Sequence, residues 1–472
     1  MEIEKLKNYI EVINSSKSIR LLNHRTKIKE QEWFFCFDGN IPKHWLEVNF
    51  MDVTWLITCG VAKKPHYINE GIPFLSAQNT RPFKTNLDKI KFISENSFKK
   101  LTVGGKPEKN DILYTRVGNC GEAASIPYEF DFGVYVSLTL IKPIHELIYH
   151  KFLVAFLNSN FGKIQANVGA IGIGLKNLNV DNVRKYKIPL PPMYEQRAIV
   201  TKIENLFASL DKGIADLEKA QEQLKLYRQA VLSLAVTSSK KEPISELVSN
   251  LSQGWSPKCL NEHSKNNEEW AVIKTTAIQG LEFIDNENKI LPIKLEPRKQ
   301  HEIMVGDILI TRAGPRIRVG ICCLVRKTRP KLINCDKVYR LNVNIAKVLP
   351  DFFEYTLNAP EHLRLIEKIK SGSSDSGLNL TQDRFLNIEI PLPTIDEQKL
   401  IIKEIESRIS VCDKVEQSLI ESLDKSKALR QSILKQAFEG KLLSEAEIAQ
   451  CKKATDYEPA SVLLERIRKE KK

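Results

Sequence analysis

Apolar residues fall into two patterns along the chain, a heptad rhythm in two stretches and short β-like runs elsewhere. In residues 188–236 Ile203, Leu210, Leu217, Leu224 and Val231 recur every seven positions, with Phe207 and Ile214 four after the first two. That is a coiled-coil seam sustained over about four heptads. In residues 390–438 the seam is Ile405, Ile409, Cys412, Leu419, Leu423 and Ile433, with Ser426 and Arg430 as polar interruptions. Each pattern predicts a helix of about 40 residues, or about 60 Å at 1.5 Å per residue. Neither helix can bury its seam alone, so each needs a long partner, and the other copy is the obvious one. Because the chain must return between them, the pair is expected antiparallel.

The two stretches align without a gap. IPLPPMYEQ answers IPLPTIDEQ; Glu195 maps to Glu397, Gln196 to Gln398, Arg228 to Arg430 and Gln229 to Gln431. The prolines are expected to break any preceding helix or strand. Before the first lead-in the runs at 72–78, 88–94, 111–118 and 134–143 predict strands, and 150–164 predicts helix. The order repeats before the second lead-in. WAVIKTT (270–276) stands for IPFLSAQ, and Asp307-Ile308-Leu309-Ile310-Thr311-Arg312 repeats Asp111-Ile112-Leu113-Tyr114-Thr115-Arg116. A helix-compatible stretch from Phe352 to Ile369 follows. The chain is a tandem repeat, to be recognised before any fold is assigned.

The expected class is α/β in the mixed α+β sense, with two globular domains separated by two long antiparallel coiled-coil helices and related by a pseudo-two-fold repeat. The expected boundaries are a leader at 1–40, a first domain at 41–187, and a lead-in with spacer helix at 188–240. A second domain at 241–389, a second lead-in and helix at 390–445, and a tail at 446–472 follow. Such an arrangement would put a reader at each end of a ruler. The leader carries a basic run through Arg20, His24, Arg25, Lys27 and Lys29, either an arm for a phosphate backbone or a solvated tail.

Net charge is +13, which points toward a polyanionic partner, although solvated lysines alone produce the same balance. The nine cysteines form no C-x-x-C pair, as expected of reduced thiols in a cytoplasmic protein. No run approaches the length of about 18 apolar residues that a membrane span needs, so no membrane partner is expected. No phosphate loop is present. GAIGIG lacks the strand–glycine–helix setting of a dinucleotide fingerprint. PPMY at 191–194 lacks the acidic or amide residue of the amino-methyltransferase motif, and its repeat partner is PTID. No catalytic residue, metal ligand or cofactor site is assigned in this chain.

Thr115-Arg116-x-Gly118 and Thr311-Arg312-x-Gly314 close strand-like runs. An arginine on a glycine turn can reach a phosphate or the edge of a guanine, or it can bond loop carbonyls. Beyond these turns the copies diverge, Asn119-Cys120-Gly121 in one and Pro315-Arg316-Ile317-Arg318 in the other. Two readers of different sequences need such divergence, and loop drift also produces it. The candidate DNA-binding residues are Arg116, Asn119, Lys176, Arg312, Arg316 and Arg318. Those expected to serve the spacer helices and their partners are Glu195, Gln196, Ile203, Leu210, Leu217, Arg228 and Gln229, with Glu397, Gln398, Ile405, Leu419, Arg430 and Gln431. The Arg-Gln pairs either fix helix register or contact another subunit.

The two EQ lead-ins, the tandem repeat, LRQSILKQAFEGKLL (429–443) and EPASVLLERIR (458–468) together resemble the specificity subunit of type I restriction-modification enzymes. The resemblance covers almost the whole chain after the leader. It implies two target-recognition domains, each reading half of a bipartite site on double-stranded DNA. It also implies helices that hold them apart and dock methyltransferase subunits, two in number, which in turn associate with motor-nuclease subunits. S-adenosylmethionine, ATP and Mg would then belong to those partners. The competing class is a coiled-coil assembly scaffold that binds no DNA; a fused methyltransferase is disfavoured because no motif supports it.

Overall fold

The computed structural model describes residues 41–61, 64–171 and 176–471. The leader and its basic run lie outside them. The chain divides into two compact units: the first runs through Ala215 and takes in 423–472, and the second is 216–422. Each long helix therefore contributes to both units.

In the first unit the main sheet is built from β1 (Thr54–Cys59), β2 (Ile112–Thr115), β3 (Ala123–Ser125) and β4 (Leu138–Pro143), in the order β1-β4-β2-β3. The second unit uses β5 (Val248–Gln253), β6 (Ile308–Thr311), β7 (Cys322–Leu324) and β8 (Val338–Val343), in the order β5-β8-β6-β7. Every pairing is antiparallel, and the registers agree: Ile112 faces Ile141, and Ile308 faces Leu341. β2 and β6 are buried at all four positions, as expected of inner strands covered on both faces.

Each unit adds a three-stranded sheet. Its central strand, Ile72–Leu75 or Ala271–Ile273, is antiparallel to one neighbour and parallel to the other. The stretch at 150–164 is two helices, His150–Asn158 and Asn160–Gly169, and the second unit has Pro350–Asn358 and Pro360–Ile369. In the first unit Asn158 joins this layer to the sheet, accepting from Ala123 N–H (3.1 Å) and donating to its carbonyl (2.8 Å). Asn358 likewise donates to the Cys322 carbonyl (2.9 Å).

The lead-ins correct one expectation. Lys187–Leu190 and Glu389–Pro391 are themselves short strands, paired with Leu46–Asn49 and Lys241–Pro243. Pro189 sits opposite Glu47 and Pro391 opposite Lys241. A two-stranded pairing has a free edge on each strand, so a residue without an N–H fits there.

The long helices are α1 (Met193–Leu232) and α2 (Ile395–Phe438). Ile203, Phe207, Val231, Ile405, Cys412 and Ile433 are buried, while Leu210, Ile214, Leu217, Leu224, Ile409, Leu419 and Leu423 are half-buried. Within the first unit Ile199 lies beside Ala437, and Phe207 beneath Arg430, so the two segments run antiparallel. Phe438 packs on Phe152 and Phe156, at ring-centroid distances of 5.3 and 5.2 Å. Burying such a ring contributes about 1.5–3 kcal/mol. The segment expected as a tail is folded into this core: Leu463 and Ile467 of the helix Ala460–Glu470 are fully buried there.

Candidate nucleic-acid interface

Each unit positions its arginine turn from the inside outward. An aspartate at the start of the inner strand anchors the preceding turn. Asp111 accepts from Glu108 N–H and from Lys142 (2.8 and 2.7 Å), and Asp307 accepts from Met304 N–H and Asn342 (2.8 and 3.0 Å). At the far end the strands leave the sheet at Thr115 and Thr311. Both turns close on a glycine: Gly121 donates to the Thr115 carbonyl (3.0 Å) and Gly320 to the Thr311 carbonyl (2.7 Å). Both glycines take positive φ, 93° and 92°, and a Cβ on Gly320 would stand 2.4 Å from Ile366. Only glycine fits that crossing.

The arginines at the turn entrance face their own chain. Arg116 donates from Nε to the Leu178 carbonyl (3.0 Å) and from Nη2 to Asn177 (3.3 Å). Arg312 donates from Nε to the Asp336 carbonyl (2.9 Å) and lies over the Tyr339 ring, 5.6 Å from its centroid. Their backbones repeat one pairing, Leu178 N–H to the Arg116 carbonyl (2.8 Å) and Leu380 N–H to the Arg312 carbonyl (2.7 Å). Both side chains are half-buried. Arg116 thus ties its turn to the segment after the helix pair, and Arg312 ties its turn to the loop before Val338–Val343; both bond loop carbonyls, which is the second alternative.

The tips differ. Asn119 and Lys176 are exposed, and the Lys176 carbonyl accepts from Gly118 N–H (3.3 Å). In the second unit Arg316 bonds Asp375 from Nε (2.8 Å) and Glu367 from Nη1. Those carboxylates hold its guanidinium above its ordinary pKa. Arg318 turns the other way, to the carbonyls of Thr275 (2.7 Å) and Ile278 (3.3 Å) and to Gln279 (3.3 Å).

Two of the glutamines assigned to the spacer helices and their partners point inward. Gln196 is fully buried; it accepts from Tyr149 N–H (2.9 Å) and donates to the Pro191 carbonyl (2.9 Å). Gln398 does the same with Leu349 N–H (2.8 Å) and Pro393 (2.9 Å), and adds Lys347 (3.0 Å). Tyr149 and Leu349 precede the first helix of each pair, so each glutamine satisfies a free helix-start N–H and joins the globular part to the long helix. Glu195 is also fully buried, holding Trp45 Nε1 (2.8 Å) and His44 Nε2 (3.0 Å). Glu397, by contrast, caps its own helix at Thr394 N–H (2.8 Å).

The seam arginines pair across the helices. Arg228 binds Asp413 (2.7 Å) and Glu416 (2.8 Å). Arg430 binds Asp211. Asp211 and Asp413 are themselves repeat-related, so one ion pair is built twice. Gln229 is exposed; Gln431 is half-buried and its Oε1 has no partner among the described residues. Sequence reasoning had missed the Gln joint and the Asn158/Asn358 clamp, although the repetition of EQ and Asn in both copies was the available signal.

A family model described as the type I restriction modification DNA specificity domain matches residues 42–219 and again 259–425. The chain belongs to the type I restriction-modification specificity family. This specificity subunit is 25% identical over 464 residues to the type I restriction enzyme EcoKI specificity subunit of Escherichia coli K12, covering 92% of this chain and 97% of that one. It is 41% identical over 176 residues to the EcoEI specificity subunit of Escherichia coli, a match spanning 37% of this chain and only 30% of the relative. Its fold is similar to a chain from a structural study of complex assembly and conformational transition of the type I system, with a TM-score of 0.63 at 17% identity and 85% and 99% coverage. The HsdS subunit from Thermoanaerobacter tengcongensis gives 0.51 at 18%, with 85% and 98% coverage. The subunit thus serves DNA target recognition. Among its described residues no helix is long and apolar enough to cross a membrane.

Proposed function

We propose that this subunit chooses the site for a type I complex, each unit reading one half of a bipartite duplex target. The long helices set the spacer and dock two methyltransferase subunits, through which motor-nuclease subunits join. The chain itself does no chemistry: methyl transfer with S-adenosylmethionine and ATP-driven, Mg-dependent cleavage belong to the partners. One observation carries the reading. Two units share sheet order, register, Asp anchor, Arg tie and Gln joint, and differ at the turn tip. A repeated scaffold with unlike tips suits the reading of two different half-sites. Phosphate contacts would supply salt-dependent affinity and the tips would supply sequence preference.

The test is modified-base sequencing of DNA from cells expressing this chain with a matching methyltransferase subunit. The expected result is a split methylated motif with a fixed spacer, lost when this chain is omitted. Absence of the motif, together with no duplex binding across a salt series, would favour the assembly scaffold. Deleting one heptad from both α1 and α2 removes about 10 Å at 1.5 Å per residue, or about three base pairs at 3.4 Å each. The spacer should shorten while both half-sites persist; unchanged spacing overturns the ruler.

A further inference from the structure

The turn between Gly314 and Gly320 holds Pro315, Arg316, Ile317, Arg318 and Val319, where the first unit has only Asn119 and Cys120 between Gly118 and Gly121. The additional length winds into one helix-like turn: the Pro315 carbonyl accepts from the N–H groups of Arg318 (2.8 Å) and Val319 (3.3 Å). Val319 is buried and fixes the turn to the core below. Two arginines brace it from opposite sides. Arg316 is held on one flank by the Asp375 side chain, the Asp375 carbonyl (backbone N–H, 2.8 Å) and Glu367, while its own carbonyl accepts from Lys370 (2.8 Å). Arg318 is held on the other by three acceptors in the 275–279 segment. Between them Ile317 projects with 82% of its surface exposed.

A single exposed aliphatic residue is ordinary on a protein surface. This one is unusual in its support. Turn tips favour small polar residues, whereas here a β-branched side chain, stiff at χ1, stands on a turn clamped at both flanks. Ordering it on a ligand therefore loses little freedom. The segment is also absent from the other unit, where the exposed tip residue is a hydrogen-bonding asparagine.

We propose that Ile317 is a specificity-determining residue that packs on the 5-methyl group of a thymine in the major groove of the second half-site, and that Arg316 and Arg318 are positioning residues for it. Apolar side chains read thymine through that methyl group, which no other base carries there. The proposal rests on the DNA-recognition reading above.

The experiment uses the full chain with its methyltransferase partner and compares wild type with Ile317→Ala. Because the side chain is exposed, the variant keeps the wild-type unfolding profile. At one position of the second half-site the preference for T·A should fall by roughly fourfold, with the first half-site and the spacer unchanged. In binding, replacing that thymine by uracil removes one methyl and should weaken wild type roughly fourfold, the effect of exposing one such group. Ile317→Ala should be indifferent to the exchange. The salt dependence should be the same for both proteins, since no phosphate contact is lost. A motif unaltered by the variant, or a uniform loss with a shallower salt slope, overturns the assignment to Ile317. A wild-type chain that directs no split motif and binds no duplex sinks the DNA reading itself, a result distinguishable from the first.

Discussion

The two units agree at their joints and disagree at their tips. Gln196 and Gln398 make the same bonds to the same positions of the helix pair, and Arg228–Asp413 and Arg430–Asp211 are one ion pair built twice. The turns after β2 and β6 differ in length, in composition and in what their arginines bind. One glutamate breaks the pattern: Glu195 is buried under Trp45 and His44, while its equivalent Glu397 is an exposed cap. Joints are set by internal geometry, which duplication copies intact. The tips carry no repeated joint and are free to change, because little of the shared scaffold depends on them.

The glutamates offer the sharpest break in this comparison. Glu195→Ala should cost roughly 1.5–3 kcal/mol, since it removes charged hydrogen bonds and leaves the buried Trp45 N–H unpaired. Glu397→Ala, on an exposed helix start, should cost far less. Denaturant unfolding of both variants checks the asymmetry, and equal losses would erase it. Gln196→Ala and Gln398→Ala should be nearly matched, each about 1–3 kcal/mol from an unsatisfied buried N–H. A large difference between them would mean that the joints are not equivalent.

The seam arginines should matter less. Double-mutant cycles on Arg228 with Asp413 and on Arg430 with Asp211 should each return about 0.2–1 kcal/mol, as for partly exposed pairs. High salt should shrink both values together.

A further effect separates the units by pH. His150 begins its helix where the second unit has Pro350. Burial, with His145 and Lys151 nearby, lowers the His150 pKa from 6.5 to about 4. The unfolded chain therefore takes up this proton before the folded one does. The stability in question is full above pH 6.5 and is lost as pH falls toward 4. His150→Gln should flatten that part of the unfolding curve. An unchanged slope would place the titration elsewhere.

The heptad spacing of Ile203, Leu210, Leu217, Leu224 and Val231 was enough to predict α1, because a sustained period of seven has one efficient burial. The gapless match of EQ to EQ likewise revealed the repeat, and with it two domains of one fold. The strands Thr54–Cys59 and Val248–Gln253 were not legible: their alternation is weak, and each is specified by pairing with a partner about 80 or more residues away. Nor could the sequence say which way an arginine faces. Arg116, Arg312, Arg316 and Arg318 all stand on glycine-bearing turns, and every one of them is held by carbonyls or carboxylates from distant segments. Local pattern determines an element when its driving force lies within a few turns of chain, as the hydrophobic seam does. A long polar side chain takes the best acceptor within reach, and only the folded chain decides which acceptors those are.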